Sequence, residues 1–330
     1  MLAGDRSIVG KNLDWSIGDG ILSVNPRGLW KRALVDSTHR PCEWVSAYAS
    51  VSFNQLGSGL PLGGMNEAGL VVEELAYWPS RYPVPDDRPA INELQWVQYQ
   101  LDVHSSVAEV IHRASAVQVL PLLFGLHYFV ADSSGDVAVI EFLDGELIIF
   151  TGSDLPVPVL TNDTYANSVR YLSLQEGYGG TRTAAAGPES PERFVGAATM
   201  MKEYESEQAE ADPIAYAFQI LRAVAQEDTQ WSIVYDTESR TVRFRTAGVP
   251  GERRVSLAGL ALDSGSPPLA LNLADRFEGD IALRLSPWSR ADQSRLIARV
   301  FEQLRGEGVV DDGEGRRLEK ALVEMGGEDR

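Results

Sequence analysis

Ser7-Ile8-Val9-Gly10-Lys11-Asn12-Leu13-Asp14-Trp15 is the stretch on which the reading of this 330-residue chain turns. It reads as a strand that ends on a carboxylate, Asp14. What surrounds it decides whether that carboxylate caps a turn or serves a site.

Downstream, strands and turns continue to Tyr77. Ser46–Phe53 alternates small polar with larger residues, as a half-buried strand does. Gly57, Gly59, Gly63 and Gly64 read as tight turns, and Gly69–Tyr77 as a further strand. Pro79, Pro83, Pro85 and Pro89 make an extended surface loop in which no helix propagates. Leu94, Val97 and Leu101 then give Ile91–Leu101 an amphipathic face, and Ser106-Val-Ala-Glu109 reads as a capping box opening a second helix. Leu126–Phe150 returns to sheet, with a hairpin at Asp144-Gly145. Pro158–Asn162 reads as one more strand. Ser190-Pro191 and Asp212-Pro213 each open a helix, and Gln230–Asp236 pairs with Thr241–Arg245 in a hairpin. Two amphipathic helices, Arg290–Leu304 and Gly313–Met325, close the chain. Strands joined by hairpins, interleaved with helices, predict an α+β layered fold. No Gly-x-Gly-x-x-Gly follows a strand, and no Gly-Lys-Ser/Thr phosphate loop is present.

Composition narrows the function classes. Hydrophobic residues make up 44% and charged residues 23%, enough for a substantial core. The net charge of -18 repels phosphate backbones and argues against a nucleic-acid partner. One cysteine, Cys42, excludes an internal disulfide framework, and four scattered histidines make a poor metal site. No apolar run has the length of a membrane span, so no membrane partner is expected. Met1–Arg6 has neither a basic nor an apolar leader segment, so the sequence as written reads as cytoplasmic.

Seven strings occur in order: Gly10–Trp15, Val51–Asn54, Gly64–Leu70, Leu94–Asp102, Val159–Asn162, Arg193-Phe194 and Asp228–Tyr235. Met65-Asn-Glu-Ala-Gly-Leu70 and Thr229-Gln-Trp-Ser-Ile-Val-Tyr235 are the most specific of them. Together, over roughly residues 5 to 250, they resemble the choloylglycine hydrolase family of linear amide C–N hydrolases, which includes bile salt hydrolases and penicillin V acylases.

The resemblance implies a four-layer αββα N-terminal nucleophile hydrolase fold with two stacked antiparallel sheets. Residues 1–285 would form that domain and 286–330 a C-terminal helical extension, packed on the same or a neighbouring subunit. It implies hydrolysis of a small-molecule amide: an acylated amino acid, a penicillin V-like amide, a bile salt conjugate or an acyl-homoserine lactone. No cofactor is implied, and a homo-oligomer is expected. The family nucleophile is a cysteine at the processed N-terminus, whose own α-amine accepts the thiol proton; with unperturbed pKa values near ~8 and ~8.5 the two groups are well matched.

Residue by residue, Asp14 matches the aspartate that orients this amine, Asn162 the oxyanion-hole asparagine, and Arg193 the active-site arginine. Lys11 stands where arginine is usual, keeping charge without the planar fork. Ala76 or Tyr77 falls where relatives place Asn or Tyr. Trp15, Tyr77, Trp78, Tyr82 and Phe124 are candidates for an aromatic acyl pocket, with core packing as the competing role. Cys42, between two strands and well past Asp14, reads as an ordinary free cysteine. The nucleophile is therefore expected upstream of Met1, on a short strand running into Leu2-Ala3-Gly4. A signal peptide before it would direct the protein to the periplasm or the exterior. The alternative is a family member without activity that binds a small molecule.

Overall fold

The computed structural model describes residues 7–183, 187–207 and 211–325. The strand expected through Leu2-Ala3-Gly4 lies outside them. Two large sheets face one another. The nine-stranded sheet runs, edge to edge, through Glu146–Thr151, Val137–Leu143, Leu126–Ala131, Val71–Ala76, Pro61–Asn66, Ser50–Asn54, Ile21–Asn25, Leu269–Asn272 and Ser286–Pro287. All its neighbours are antiparallel. The five-stranded sheet runs Ile8–Asp14, Thr229–Asp236, Thr241–Thr246, Val249–Ser256 and Gly279–Asp280. It is antiparallel except at its last, two-residue pairing.

Aromatic side chains lock the sheets together. Phe53 of the larger sheet meets Phe244, Trp231 and Tyr235 of the smaller at centroid distances of 5.3, 6.2 and 6.5 Å. Such pairs add about 0.5–1.5 kcal/mol each beyond the burial of their area. Helices cover the outer faces. α1 (Glu93–Val103) and α2 (Val107–Arg113) lie on the larger sheet. α3 (Tyr165–Leu172), α4 (Ser190–Glu207) and α5 (Pro213–Ala223) stack in turn, α5 resting on the Ile8–Asp14 strand. The result is the expected αββα sandwich. α6 (Arg290–Gly306) and α7 (Asp312–Met325) form a helical pair at the C-terminal end. No helix among the described residues is long and apolar enough to cross a membrane.

Most expected elements occur within a residue or two of their boundaries. Asp144 (φ 52°) and Gly145 (φ 84°) form the tip of the hairpin, both left-handed as a two-residue turn requires. Asp212 caps α5 on Ile214 N, with Pro213 in the first turn. Four expectations fail locally. The strand expected over Ser46–Phe53 forms only from Ser50 to Asn54. Pro158–Asn162 is not a strand but an irregular segment leading into α3. Ser106 caps α2 on Glu109 N, yet Glu109 reaches back to Ser105 N at 2.7 Å, so the box closes one residue early. Gly63 and Gly64 are not turns; they lie inside the Pro61–Asn66 strand, where space is short. A Cβ on Gly63 would fall 2.0 Å from the Glu73 carboxylate, and one on Gly64 would fall 2.4 Å from Val51 O.

Candidate active site

The site grows from the end of the Ile8–Asp14 strand. Its register against Thr229–Asp236 slips after Leu13: Leu13 faces Trp231, but Asp14 faces Thr229, so Gln230 is skipped. A bulge of this kind re-aims a side chain, and it turns Asp14 into a ring of donors. Arg193 Nη1 donates to Asp14 Oδ2 at 3.3 Å, Gln226 Nε2 donates to the same oxygen at 3.2 Å, and Thr229 Oγ1 donates to Oδ1. Arg193 sits in the first turn of α4, buried. Its other arm, Nη2, donates to Asn162 Oδ1 at 2.7 Å. Asn162 Nδ2 in turn donates to Ala76 O at 3.0 Å. A continuous relay, Asp14–Arg193–Asn162–Ala76, therefore crosses from the smaller sheet to the larger. Burial pulls the Arg193 pKa down, while Asp14, Asp228 and Glu189 hold it up.

A second polar group lies between the sheets. Lys11 Nζ donates to Glu73 Oε2 at 3.4 Å and to Glu74 O, with Glu74 Oε1 at 4.0 Å. Tyr235 Oη donates to Glu73 Oε1. Burial pushes the Glu73 carboxyl up to about 7 against the opposing pull of Lys11 and Tyr235. Burial raises Glu74 as well, again opposed by Lys11.

Both groups line one cleft. It runs along the whole Ile8–Asp14 strand and is otherwise largely apolar, with walls from Leu75, Phe129, Leu160, Met201 and Leu221. Three aromatic residues gather on it: Phe124 meets Trp15 at 6.5 Å and Trp78 at 6.0 Å, both edge-on.

Of the residues singled out from sequence, Asp14, Asn162, Arg193, Lys11 and Trp15 all line this cleft. Tyr77 does not; it turns aside and stacks on His127 at 5.4 Å, leaving Ala76 and Trp78 to face the cleft. Tyr82 packs on Phe142 instead. Cys42 is buried away from the cleft, and burial pushes its thiol up to about 11. Thr229, Gln226, Glu73 and Tyr235 went unassigned in the sequence reading. The signal for Glu73 was present: two consecutive acids in the apolar strand Val71-Val-Glu-Glu-Leu-Ala76 oblige one of them to face inward.

Comparison with known proteins agrees with this architecture. A penicillin V acylase of Pectobacterium atrosepticum is 25% identical over 289 residues, which span 74% of this chain and 76% of that protein. The solved structure of penicillin V acylase from Agrobacterium tumefaciens superposes with a TM-score of 0.75 at 25% identity, covering 86% of this chain and 95% of the other. A conjugated bile acid hydrolase from Clostridium perfringens, solved as a point mutant, shares the fold at 18% identity and a TM-score of 0.67, covering 83% and 95%. The profile of the linear amide C-N hydrolases, choloylglycine hydrolase family, matches residues 3–267, and the chain belongs to that family.

Proposed function

We propose that this protein hydrolyses the amide bond of a small N-acyl compound with an apolar or aromatic acyl group, using a cysteine that precedes Met1 as nucleophile. The observation that carries the proposal is the placement of Asp14. It closes a strand whose second edge has no strand neighbour among the described residues, and the cleft follows that edge. An extended segment hydrogen-bonded there would bring its start beside Asp14.

The chemistry follows from the groups present. Asp14, held by three donors, has the position to accept a hydrogen bond from a neutral α-amine, fixing the amine's lone pair toward a thiol, and to stabilise the ammonium once that proton is taken. The amine takes the thiol proton, the thiolate attacks the amide carbonyl, and the leaving amine departs protonated. Water then releases the acid from the thioester. Asn162 has one N–H engaged by Ala76 O and a second available to a developing oxyanion. Trp15, Trp78 and Phe124, which line the cleft, offer the acyl group an aromatic wall.

The experiment is N-terminal sequencing of the protein from its native source, followed by assay of the form that starts with cysteine. Penicillin V is the first substrate, because the phenoxyacetyl group matches the aromatic wall. Hydrolysis that disappears when that cysteine is replaced by alanine supports the proposal. A native N-terminus without cysteine, with the amide bound but never cleaved, replaces it with a binding role.

A further inference from the structure

Two loops leave the cleft wall at Trp15 and Gln55, and one helix beyond the family match grips both. The first loop, residues 16–20, follows directly on Asp14 and Trp15. The second begins at Gln55, which lines the cleft and whose Nε2 donates to Ile17 O at 2.5 Å. α6 reaches the first loop through Arg299 Nε, which donates to Asp19 Oδ1 at 2.9 Å, and Gln303 Nε2, which donates to Asp19 Oδ2 at 3.0 Å. At the helix C-cap, Glu307 accepts from Ser16 Oγ. The second loop is met by Gln293, which is 2% exposed and whose Oε1 accepts from Ser58 N at 3.1 Å and from Trp288 Nε1 at 3.0 Å. Gly57 (φ 94°) leaves the room for this: a Cβ there would fall 2.1 Å from Gln293 Nε2.

An appendage needs only its apolar face to stay attached, and α6 has one in Leu296, Ile297, Val300, Phe301 and Leu304, all buried. Its polar contacts are placed differently. They run from both ends of the helix to the two loops that present Trp15 and Gln55. α7 backs the arrangement, with Arg305 Nη1 donating to Glu319 Oε2 at 3.0 Å. We propose that α6, backed by α7, is a specificity element that sets the positions of Trp15 and Gln55 and thereby the acyl groups the cleft accepts. The proposal rests on the reading that this cleft holds the acyl part of an amide.

Its test separates the two ideas. Asp19→Ala and Gln293→Ala are made in the cysteine-bearing protein and assayed on penicillin V and on an amide with a straight aliphatic acyl chain. The expected result is a rise of roughly 5- to 20-fold in KM for penicillin V with kcat within about 2-fold, and a matching change in the preference between the two substrates. The swap Asp19→Arg with Arg299→Asp restores the parent values. Unchanged preference, or an equal fall of kcat on both substrates, overturns the proposal. A second readout needs no activity: amide hydrogen exchange at residues 15–20 and 55–60 rises about 10-fold or more in both variants while the strands stay protected. If the parent cleaves no amide, the functional reading fails and the exchange measurement alone decides; unchanged loop exchange then overturns the brace.

Discussion

Glu73 ties stability to pH. Its carboxyl is raised from 4.5 to about 7 by burial, so the folded chain holds a proton there that the unfolded chain releases. Between those values the folded state binds more protons, and stability falls as pH rises from about 4.5 to 7. Glu73→Gln removes this dependence. Thermal unfolding at pH 5 and pH 8 is expected to show a smaller drop in Tm for the variant than for the parent, corresponding to a stability difference on the order of 2–3 kcal/mol. Arg193 makes a different demand. One guanidinium spans Asp14 and Asn162 with separate arms, which an ammonium has no geometry to repeat. Arg193→Lys is expected to lower kcat in the cysteine-bearing protein by roughly 10- to 100-fold with a smaller change in KM, measured by steady-state kinetics. At this scale the sequence was legible where a family string named the residue: Asp14, Asn162 and Arg193 all meet in the cleft. It was not legible for Tyr77, which follows the end of the Val71–Ala76 strand and leaves the cleft by stacking on His127, a contact no sequence pattern announces.

Elements are governed by how closely backbones approach. Gly63 and Gly64 look like turn signals and are instead the price of packing a strand against Glu73 and the Val51 carbonyl. Gly64→Ala is expected to cost about 1–3 kcal/mol, because the obstructing atom is backbone. Gly63→Ala meets only a side chain, so its cost is expected to shrink when combined with Glu73→Ala; urea unfolding of the two singles and the double gives the coupling. Periodicity located the helices and hairpins because each has its own local chemistry, as with Asp212-Pro213 and Asp144-Gly145. Pro158–Asn162 lacks it. Its place is fixed by Tyr165, whose hydroxyl accepts from Val157 N at 3.2 Å and donates to Val157 O at 2.9 Å, and by the pull of Arg193 on Asn162. Those contacts are invisible to a window of five residues.

The whole molecule bears a net charge of -18, which self-repulsion converts into a cost of compactness. Screening reduces that cost, since the Debye length contracts to about 10 Å at 0.1 M salt. Tm is therefore expected to rise by a few degrees between about 20 and 200 mM sodium chloride; a fall would mean that attractive pairs such as Arg299–Asp19 outweigh the excess of acid. The choice of αββα layers was legible from the alternation of hairpins and helices together with the family strings. The pairing of Ile8–Asp14 with Thr229–Asp236 was not, because more than two hundred residues separate them and no local rule spans that distance.

Cys42 gives the chain a practical property. It is the sequence's one thiol, buried, with its ionisation pushed up to about 11. At neutral pH roughly one molecule in ten thousand holds a thiolate there, so alkylating reagents find the folded protein almost silent. Modification of Cys42 becomes a clock for unfolding. Against the same dark background, any fast-reacting thiol in a longer natural form announces itself as a second cysteine, countable by mass before a substrate is known.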